Sequence, residues 1–389
     1  MVGLLAALAF EQSFPEPCAV HVFDSAALDL EAPLSQPSFD DRSTALSYDT
    51  LAYLQGLGLS SVSEQACPIQ SIHVSNKGRL GSAVLTAQQI KWPLLGGVIE
   101  NRVLGEALTK RLKQSRVCVH APSQVTELRP KSQGVEIKQA GGQVLLFDCL
   151  IIADGAQSAL AQQLGMLSVS KSYANSAIVA NIETASHHAH CAYERFSQQG
   201  PMAMLPLNDC GGSHRSALVW TAPKATVSEL MALGDAQFAQ RLEAQFGYRL
   251  GRIERVGKRS MYPLFMMHRL EQVRAGVVVL GNAAHTLHPV AGQGFNLSVR
   301  DIRSLTQVLS ACLEERNFSS AALSQYTQRR ALDQWRTVNA SDLLPELFQY
   351  SGAVGAVRDF ALGLMDLIPF IKQRFTAIAA GAIAESDYV

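Results

Sequence analysis

The segment from Gly281 to Asp301, GNAAHTLHPVAGQGFNLSVRD, carries the residues best suited to do chemistry. It follows the apolar run Ala275–Leu280, which is typical of a buried strand, and it leads into a helical pattern. Gly292 and Gly294 leave the backbone at the helix start open to a flat ligand. Unpaired amides there, with aligned peptide dipoles behind them, suit a phosphate or a delocalised negative charge. The sequence therefore predicts a ligand-binding loop at a helix N-terminus.

A second candidate site lies near the beginning of the chain. Residues 1–10 are typical of a helix already under way, and Val20–Asp24 is typical of a strand that ends in an acid. Asp24 follows Gly3 by about 20 residues, the spacing between the last glycine of a dinucleotide fingerprint and the acid that binds the ribose. We interpret Gly3 as the third glycine of G-x-G-x-x-G. An unrelated amphipathic helix followed by a strand is the alternative.

Three further segments place polar residues at the ends of predicted elements. Asp154 and Gly155 follow the buried strand Leu150–Ile152, Arg42 follows a Pro/Ser-rich segment and precedes a helical pattern, and Asn101 opens another helix. Each has an ordinary alternative, since Asp-Gly is a common turn and a single Arg is usually a surface charge. These segments must converge on the glycine-rich loop if they act together.

The full string from Gly281 to Asp301 resembles the second flavin-binding motif of the class A flavoprotein monooxygenases, GD-AAH-x-x-P-x-x-GQG-x-N-x-x-x-x-D. Ala153–Ser158 is similar to the A-D-G-x-x-S motif of the same family, and the order of Gly3, Asp154 and Gly281 is the family's order. The chain has Asn282 where the family usually has Asp, so a contact to a ribityl hydroxyl would lose its charge.

The resemblance implies two sets of site residues. The cofactor-binding set is Gly3, Asp24, Arg42, Asn101, Val125, Asp154, Gly155, Asn282, Gly292, Gly294, Phe295 and Asn296. The set that would line the reacting face is His285, Pro289, Gly292, Gln293 and Gly294, none of which is assigned as a general base. Because the first strand and first two glycines of the fingerprint are not in the sequence, we expect it as it stands to bind FAD weakly.

Two stretches, Tyr193–Pro206 and Gly257–Leu264, are similar to the ubiquinone-biosynthesis branch of the family. This resemblance implies an FAD-dependent monooxygenase that hydroxylates a polyprenylated phenol with O2 through a flavin C4a-hydroperoxide. No second dinucleotide fingerprint is visible, so either NAD(P)H would bind transiently as the reductant or another reductant would serve. Met202, Met204 and Leu205 would suit the apolar wall of a substrate pocket, although core packing explains each equally well.

The resemblance implies an α/β fold with a Rossmann-like FAD-binding domain of the para-hydroxybenzoate-hydroxylase type, a mixed-sheet substrate domain and a helical C-terminus. We expect the FAD-binding domain to comprise 1–72, 98–175 and 265–340, the substrate domain 73–97 and 176–264, and the C-terminal helices 341–389. Short strands at 117–119, 134–137 and 144–147 are predicted to form a meander, and 225–246 a single helix.

Composition excludes several classes of protein. Of 389 residues, 48% are apolar, and 33 basic residues balance 33 acidic ones, which argues against a nucleic-acid partner. Seven scattered cysteines without C-x-x-C predict reduced thiols and no metal site. We expect a cytoplasmic protein. Its apolar, charge-interrupted tail is predicted to pack as a helix or to contact the inner face of the cytoplasmic membrane peripherally.

Two other functions compete with this one. A flavin halogenase is disfavoured because W-x-W-x-I-P is absent around Trp92, Trp220 and Trp335. A non-catalytic, flavin-poor scaffold for other quinone-biosynthesis proteins is favoured by the incomplete fingerprint and opposed by the two later flavin motifs.

Overall fold

A computed structural model of the chain describes residues 1–28, 42–78, 82–287 and 292–349, with side chains up to residue 343. The predicted site residue Pro289 and the tail from 350 onward lie outside the described residues. The helices of the described part are α1 (Val2–Ser13), α2 (Tyr48–Gly56), α3 (Ser60–Gln65), α4 (Asn101–Lys113), α5 (Ala159–Gln163), α6 (Lys224–Ala232), α7 (Asp235–Phe246), α8 (Gln293–Glu315) and α9 (Ser320–Gln349).

Two parallel strand pairs form the layer that carries the candidate nucleotide site. β1 (His21–Phe23) pairs with β7 (Cys118–His120), and β11 (Leu150–Ile152) pairs with β19 (Val277–Val279), which β18 (Val273–Arg274) extends antiparallel. Helix α1 is buried from Leu4 to Phe10 because apolar residues surround its axis, and it packs in one core with α4 and α8. The short parallel strands therefore end together beside the start of a buried helix.

A mixed sheet of nine strands forms the second layer, in the order β20-β17-β12-β15-β14-β13-β4-β5, with β16 pairing β12. Its strands are β4 (Ser71–Asn76), β5 (Ser82–Thr86), β12 (Ser168–Thr184), β13 (Cys191–Phe196), β14 (Met202–Cys210), β15 (Ser213–Pro223), β16 (Ile253–Val256), β17 (Ser260–Arg269) and β20 (His285–Thr286). β13 and β4 run parallel, whereas the other neighbours are antiparallel. The predicted α/β fold with a separate mixed sheet is confirmed.

Two small sheets complete the described part. β2 (Ser43–Ser47), β6 (Gly96–Glu100) and β3 (Cys67–Ile69) form one, and β8 (Val125–Lys131), β9 (Gly134–Gln139) and β10 (Val144–Phe147) form the other. The first sheet joins the layers, because β6 leads directly into α4 and β3 contacts β14 of the mixed sheet.

Several sequence expectations differ from the structure. The meander uses β8, whose charged residues mask its strand pattern, while Cys118–His120 joins β1 in the parallel pair. The predicted helix at 225–246 is divided, because Leu233 and Gly234 have extended backbone between α6 and α7. The expected domain boundaries at 175/176 and 340/341 lie within β12 and α9, and the division into domains stays a prediction.

Candidate functional site

The first turn of α8 is open. Its N-cap, Gly292, has left-handed backbone with φ 60°, and within the described residues no side chain caps the helix. A Cβ at Gly292 would lie 3.0 Å from the Cβ of Ala45, so the left-handed bend and the packing on β2 both favour glycine. A Cβ at Gly294 would meet no described atom within 4 Å. The helix therefore presents backbone amides and open space at its N-terminus.

Asn296 fixes this turn to β2. Its Oδ1 accepts from the backbone amide of Ser47 at 2.9 Å, and its Nδ2 donates to the carbonyls of Ala45 and Gly292 at 3.0 Å each. The residue is 2% exposed. Its side chain is fully used in holding the backbone, so Asn296 acts on the predicted site through the position of the helix start.

A buried ionic network lies one to two turns further along α8. Asp301 accepts hydrogen bonds from His285 Nε2 at 2.5 Å, from Arg330 Nε at 2.7 Å and from Gln334 Nε2 at 3.1 Å. Asp333 bonds both Arg330 and Arg300, which ties α8 to α9. Burial by itself would raise the pKa of Asp301, but Arg330 and His285 together hold it well below its usual range.

His285 belongs to this network. Its ring is completely buried in the strand β20, where His285 pairs with His268, and it donates from Nε2 to Asp301. The ring therefore connects the strand after Gly281 to helix α8. The motif resemblance assigns His285 to the reacting face, and that assignment stays a prediction.

The nucleotide end of the predicted site is formed by β1, β7 and α1. Asp24 ends β1, its backbone amide donates to the carbonyl of His120 at 3.1 Å, and its Oδ1 accepts from the amide of Ala26 at 2.9 Å. The amide of Ser123 donates to the Asp24 carbonyl at 2.7 Å, which brings the start of β8 at Val125 towards it. A Cβ at Gly3 would lie 3.6 Å from the Cβ of Ala153, the residue that follows β11, so the start of α1 packs next to the end of β11.

The middle of the site follows β11 and β19. These strands are parallel neighbours, with Ile152 opposite Val279, so Asp154 and Asn282 leave the same edge of the sheet. Both side chains are exposed. Gly155 has φ 94°, and a Cβ there would meet no described atom within 4 Å. A Cβ at Gly281 would lie 2.9 Å from Val2, which places the helix α1 beside this edge.

Arg42 and Asn101 meet beside the start of α8. The amide of Asn101 donates to the Arg42 carbonyl at 2.7 Å, and the buried Asn101 Oδ1 accepts from Thr44 at 2.6 Å. The guanidinium of Arg42 lies 4.8 Å from the ring centroid of Tyr262 on β17. Arg42 precedes a strand rather than a helix, because Ser47, not an earlier residue, caps α2.

A cavity of about 270 Å³ lies on the other side of β6, between α3 and the mixed sheet. Its polar lining includes Glu64, Gln65, Asn208 and an ion pair of Arg215 with Glu100, whose atoms are 2.6 Å apart. Its apolar lining consists of Val98, Ile99, Val103 and Leu207. Met202 and Met204 do not line this cavity, because both are buried against α6 and α7 in the core of the mixed sheet.

The contacts place the predicted residues in three groups. These are Asp24 and Val125; Gly3, Asp154, Gly155 and Asn282; and Arg42, Asn101 and the first turn of α8 from Gly292 to Asn296. Sequence reasoning missed Tyr262, Arg330 and Asp333. Their partners lie on other elements, so no local spacing marks them.

Comparisons with known proteins agree on one family. The family described as "FAD binding domain" matches residues 32–341. The 3-demethoxyubiquinol 3-hydroxylase of Escherichia coli K12 is 31% identical over 316 residues, 79% of this chain and 78% of that protein. Ubiquinone hydroxylase UbiL of Rhodospirillum rubrum is 31% identical over 350 residues, 89% and 80% of the two chains.

Solved structures agree on the fold. The p-nitrophenol 4-monooxygenase PnpA of Pseudomonas putida DLL-E4 aligns with a TM-score of 0.78 at 18% identity, covering 97% of this chain and 94% of that one. In the described part of the chain, no helix is long and apolar enough to cross a membrane.

Proposed function

Because the chain belongs to the FAD-binding-domain family and is an FAD-dependent monooxygenase, we propose that it hydroxylates a polyprenylated phenol in ubiquinone biosynthesis, with O2 as co-substrate and NAD(P)H as transient reductant. One observation carries the proposal. The open first turn of α8 lies on β2, beside Arg42, and Arg42 stacks on Tyr262 of the mixed sheet. The position that suits a flavin ring thus adjoins the layer expected to cover a substrate.

The residues present fit FAD. Gly155 and Gly294 leave space that a Cβ would fill, and Asp154 and Asn282 expose hydrogen-bonding groups between them. Asp24 would bind the ribose, Gly3 and Val125 would lie along the nucleotide, and Asp154, Gly155 and Asn282 would hold the middle of the cofactor. Arg42, Asn101 and the turn from Gly292 to Phe295 would surround the ring.

When bound, FAD supplies the oxygen-activating chemistry of the reaction. The chain's own contribution is electrostatic and steric. The amides that begin α8 would stabilise negative charge on the flavin, and Arg42 would add a positive charge nearby. Asn296 and the Asp301 network hold those amides in place, so they need not reorganise during the reaction. Tyr262 on β17, which contacts Arg42, would cover one side of the site.

The substrate class follows from two resemblances. Tyr193–Pro206 and Gly257–Leu264 are similar to 2-octaprenyl-6-methoxyphenol hydroxylase, and the E. coli relative is named 3-demethoxyubiquinol 3-hydroxylase. We propose a phenol of this route as the substrate. A polyprenyl tail keeps such a substrate in a bilayer, so the enzyme would act as a peripheral protein at the inner face of the cytoplasmic membrane, near other quinone-biosynthesis proteins. Failure to sediment with anionic lipid vesicles would remove the membrane part of the proposal.

The test is turnover by the purified protein. With excess FAD present throughout the assay, we expect NAD(P)H and O2 to convert a short-tailed phenol substrate into a product heavier by one oxygen atom. Arg42→Ala should lower turnover, whereas Arg255→Ala, which removes an exposed arginine on β16, should not. A colourless protein that binds pathway partners but turns over no phenol would support the scaffold function and refute this one.

A further inference from the structure

Four histidines gather at one end of the mixed sheet, away from the residues assigned to FAD. His187, His188 and His190 lie in the connection between β12 and β13, and His214 lies near the start of β15. The ring centroids of His187 and His214 are 5.1 Å apart, and those of His187 and His190 are 5.6 Å apart. Neither the family motifs nor the proposed hydroxylation uses this cluster.

Three side chains of the cluster converge in the arrangement of a metal site. His187, Asp209 and His214 each offer one ligand atom, and these atoms lie within 4.8 Å of one another. Asp209 Oδ2 and His214 Nδ1 are 3.0 Å apart. Two ligands bound at about 2.0–2.1 Å to one tetrahedral ion are about 3.3 Å apart, so a small adjustment would let this pair share an ion. His187 and Asp209 are exposed, so an ion can enter.

A neighbouring set, Cys67, His188 and His190, is less suited to an ion. His188 uses both ring nitrogens, since Nδ1 accepts from the amide of His190 at 3.1 Å and Nε2 donates to the carbonyl of Leu207 at 2.9 Å. Burial raises the pKa of the Cys67 thiol to about 11, which disfavours the thiolate that metals bind. His188 instead holds the β12–β13 connection to β14 at Leu207, which precedes Asp209 by two residues.

The backbone of the connection is also unusual. Ala189 and His190 both have left-handed backbone, with φ 49° and 56°, a conformation that is strained for non-glycine residues. The amide of Ala189 donates to His187 Nδ1 at 2.9 Å, which leaves His187 Nε2 as its ligand atom. The strained turn thus fixes the imidazole of His187 next to the β14–β15 turn.

From this geometry we propose that His187, Asp209 and His214 bind a divalent transition-metal ion, Zn²⁺ in particular. Two imidazoles and a carboxylate suit borderline metals of the Irving–Williams series, and water would complete the coordination. The ion would join the β14–β15 turn to the β12–β13 connection. The sequence predicted no metal site because its ligands come from separate positions without a recognisable spacing.

The test uses the full chain, prepared without a polyhistidine tag and stripped with a chelator. Titration calorimetry with ZnCl2 should give one ion per chain, and CoCl2 should give the visible absorption of a low-coordinate site. His187→Ala, His214→Ala and Asp209→Asn should each weaken Zn²⁺ binding by at least about tenfold. Zn²⁺ should raise the thermal midpoint of the native protein but not of these variants.

His190→Ala and Cys67→Ser are the matched controls, since they remove a neighbouring histidine and thiol outside the proposed ligand set. Both should bind Zn²⁺ as the native chain does. Circular dichroism in the absence of metal establishes that each variant is folded. The absence of saturable one-to-one binding would overturn the proposal, and so would controls that lose binding while His187→Ala retains it.

Discussion

Helix α8 has two regions of opposite character. Its first turn, from Gln293 to Asn296, follows a left-handed glycine and faces open space at Gly294. Near its second and third turns, Arg300 and Asp301 are buried in a network with His285, Arg330 and Asp333. The first turn carries no side-chain cap among the described residues, whereas the second region satisfies buried charges with several partners.

The difference shows how an open site can be rigid. Amides that bind a ligand cannot also be capped by the protein, so their position must be fixed from elsewhere. Asn296 fixes the first turn by bonding to β2, and Asp301 fixes the helix further along by joining α8 to β20 and α9. We expect changes in the network to affect folding and changes in the first turn to affect ligand binding.

The largest effect is expected for Asp301→Ala. The change leaves Arg330, which is 1% exposed, with Asp333 as its remaining carboxylate partner, and removing one partner of a buried ion pair destabilises proteins by about 3–5 kcal/mol. Urea denaturation measures the free energy of unfolding. The control is Asp235→Ala, since that carboxylate is 69% exposed in its pair with Arg259 and should contribute less than about 1 kcal/mol. Equal losses in the two variants would contradict a supporting role for the network.

Gly294→Val should weaken FAD binding and leave the stability of the fold nearly unchanged. No described atom lies within 4 Å of the added Cβ, but a flavin ring at the helix start would collide with the side chain. We expect FAD affinity to fall at least about a hundredfold, or about 2.7 kcal/mol, with little change in unfolding. Gly234→Val is the control, because its Cβ also has no described neighbour within 4 Å and its φ is −65°. A folded Gly294→Val protein with native FAD affinity would show that the ring binds elsewhere.

Acid should weaken the network. The pKa of Asp301 is lowered in the folded chain and about 3.9 in the unfolded chain, so its contribution is present above pH 4 and declines as pH falls further. Below pH 4 the unfolded chain binds a proton that the folded chain does not. We expect the slope to reach about 1.4 kcal/mol per pH unit for this group. In Asp301→Asn, the free energy of unfolding should therefore depend less steeply on pH between pH 5 and pH 3. Identical slopes for the variant and the native chain would argue against a lowered pKa of Asp301.

The smallest effect is expected for Asn282→Asp. The side chain is exposed at the sheet edge, so the charge can be added without burial. A carboxylate accepts a stronger hydrogen bond than an amide, and FAD affinity should rise by about 1 kcal/mol or less. Fluorescence titration with FAD measures the change in affinity. Asn317→Asp, just after the end of α8, is the surface control. A fall in affinity, or the same rise in the control, would contradict a ribityl contact.

Much of the fold followed from local patterns. The apolar run before Gly281, the strand before Asp154 and the helix after Asn101 all lie where periodicity and turn residues predicted them. The predicted bounds of individual strands and helices were less accurate. β8 escaped prediction because its burial alternates weakly along charged residues, and α6 and α7 were merged because apolar spacing continues past Gly234.

The sequence by itself determined the chemistry of the site edge, because glycines at Gly292 and Gly294, and polar residues after strands, are local requirements of backbone geometry. Only the tertiary structure decided what those residues do. It buried His285 against Asp301, used the whole side chain of Asn296 to hold β2, and brought Arg42 to Tyr262. These contacts join residues far apart in the chain, and their partners depend on how layers pack, which no local spacing encodes.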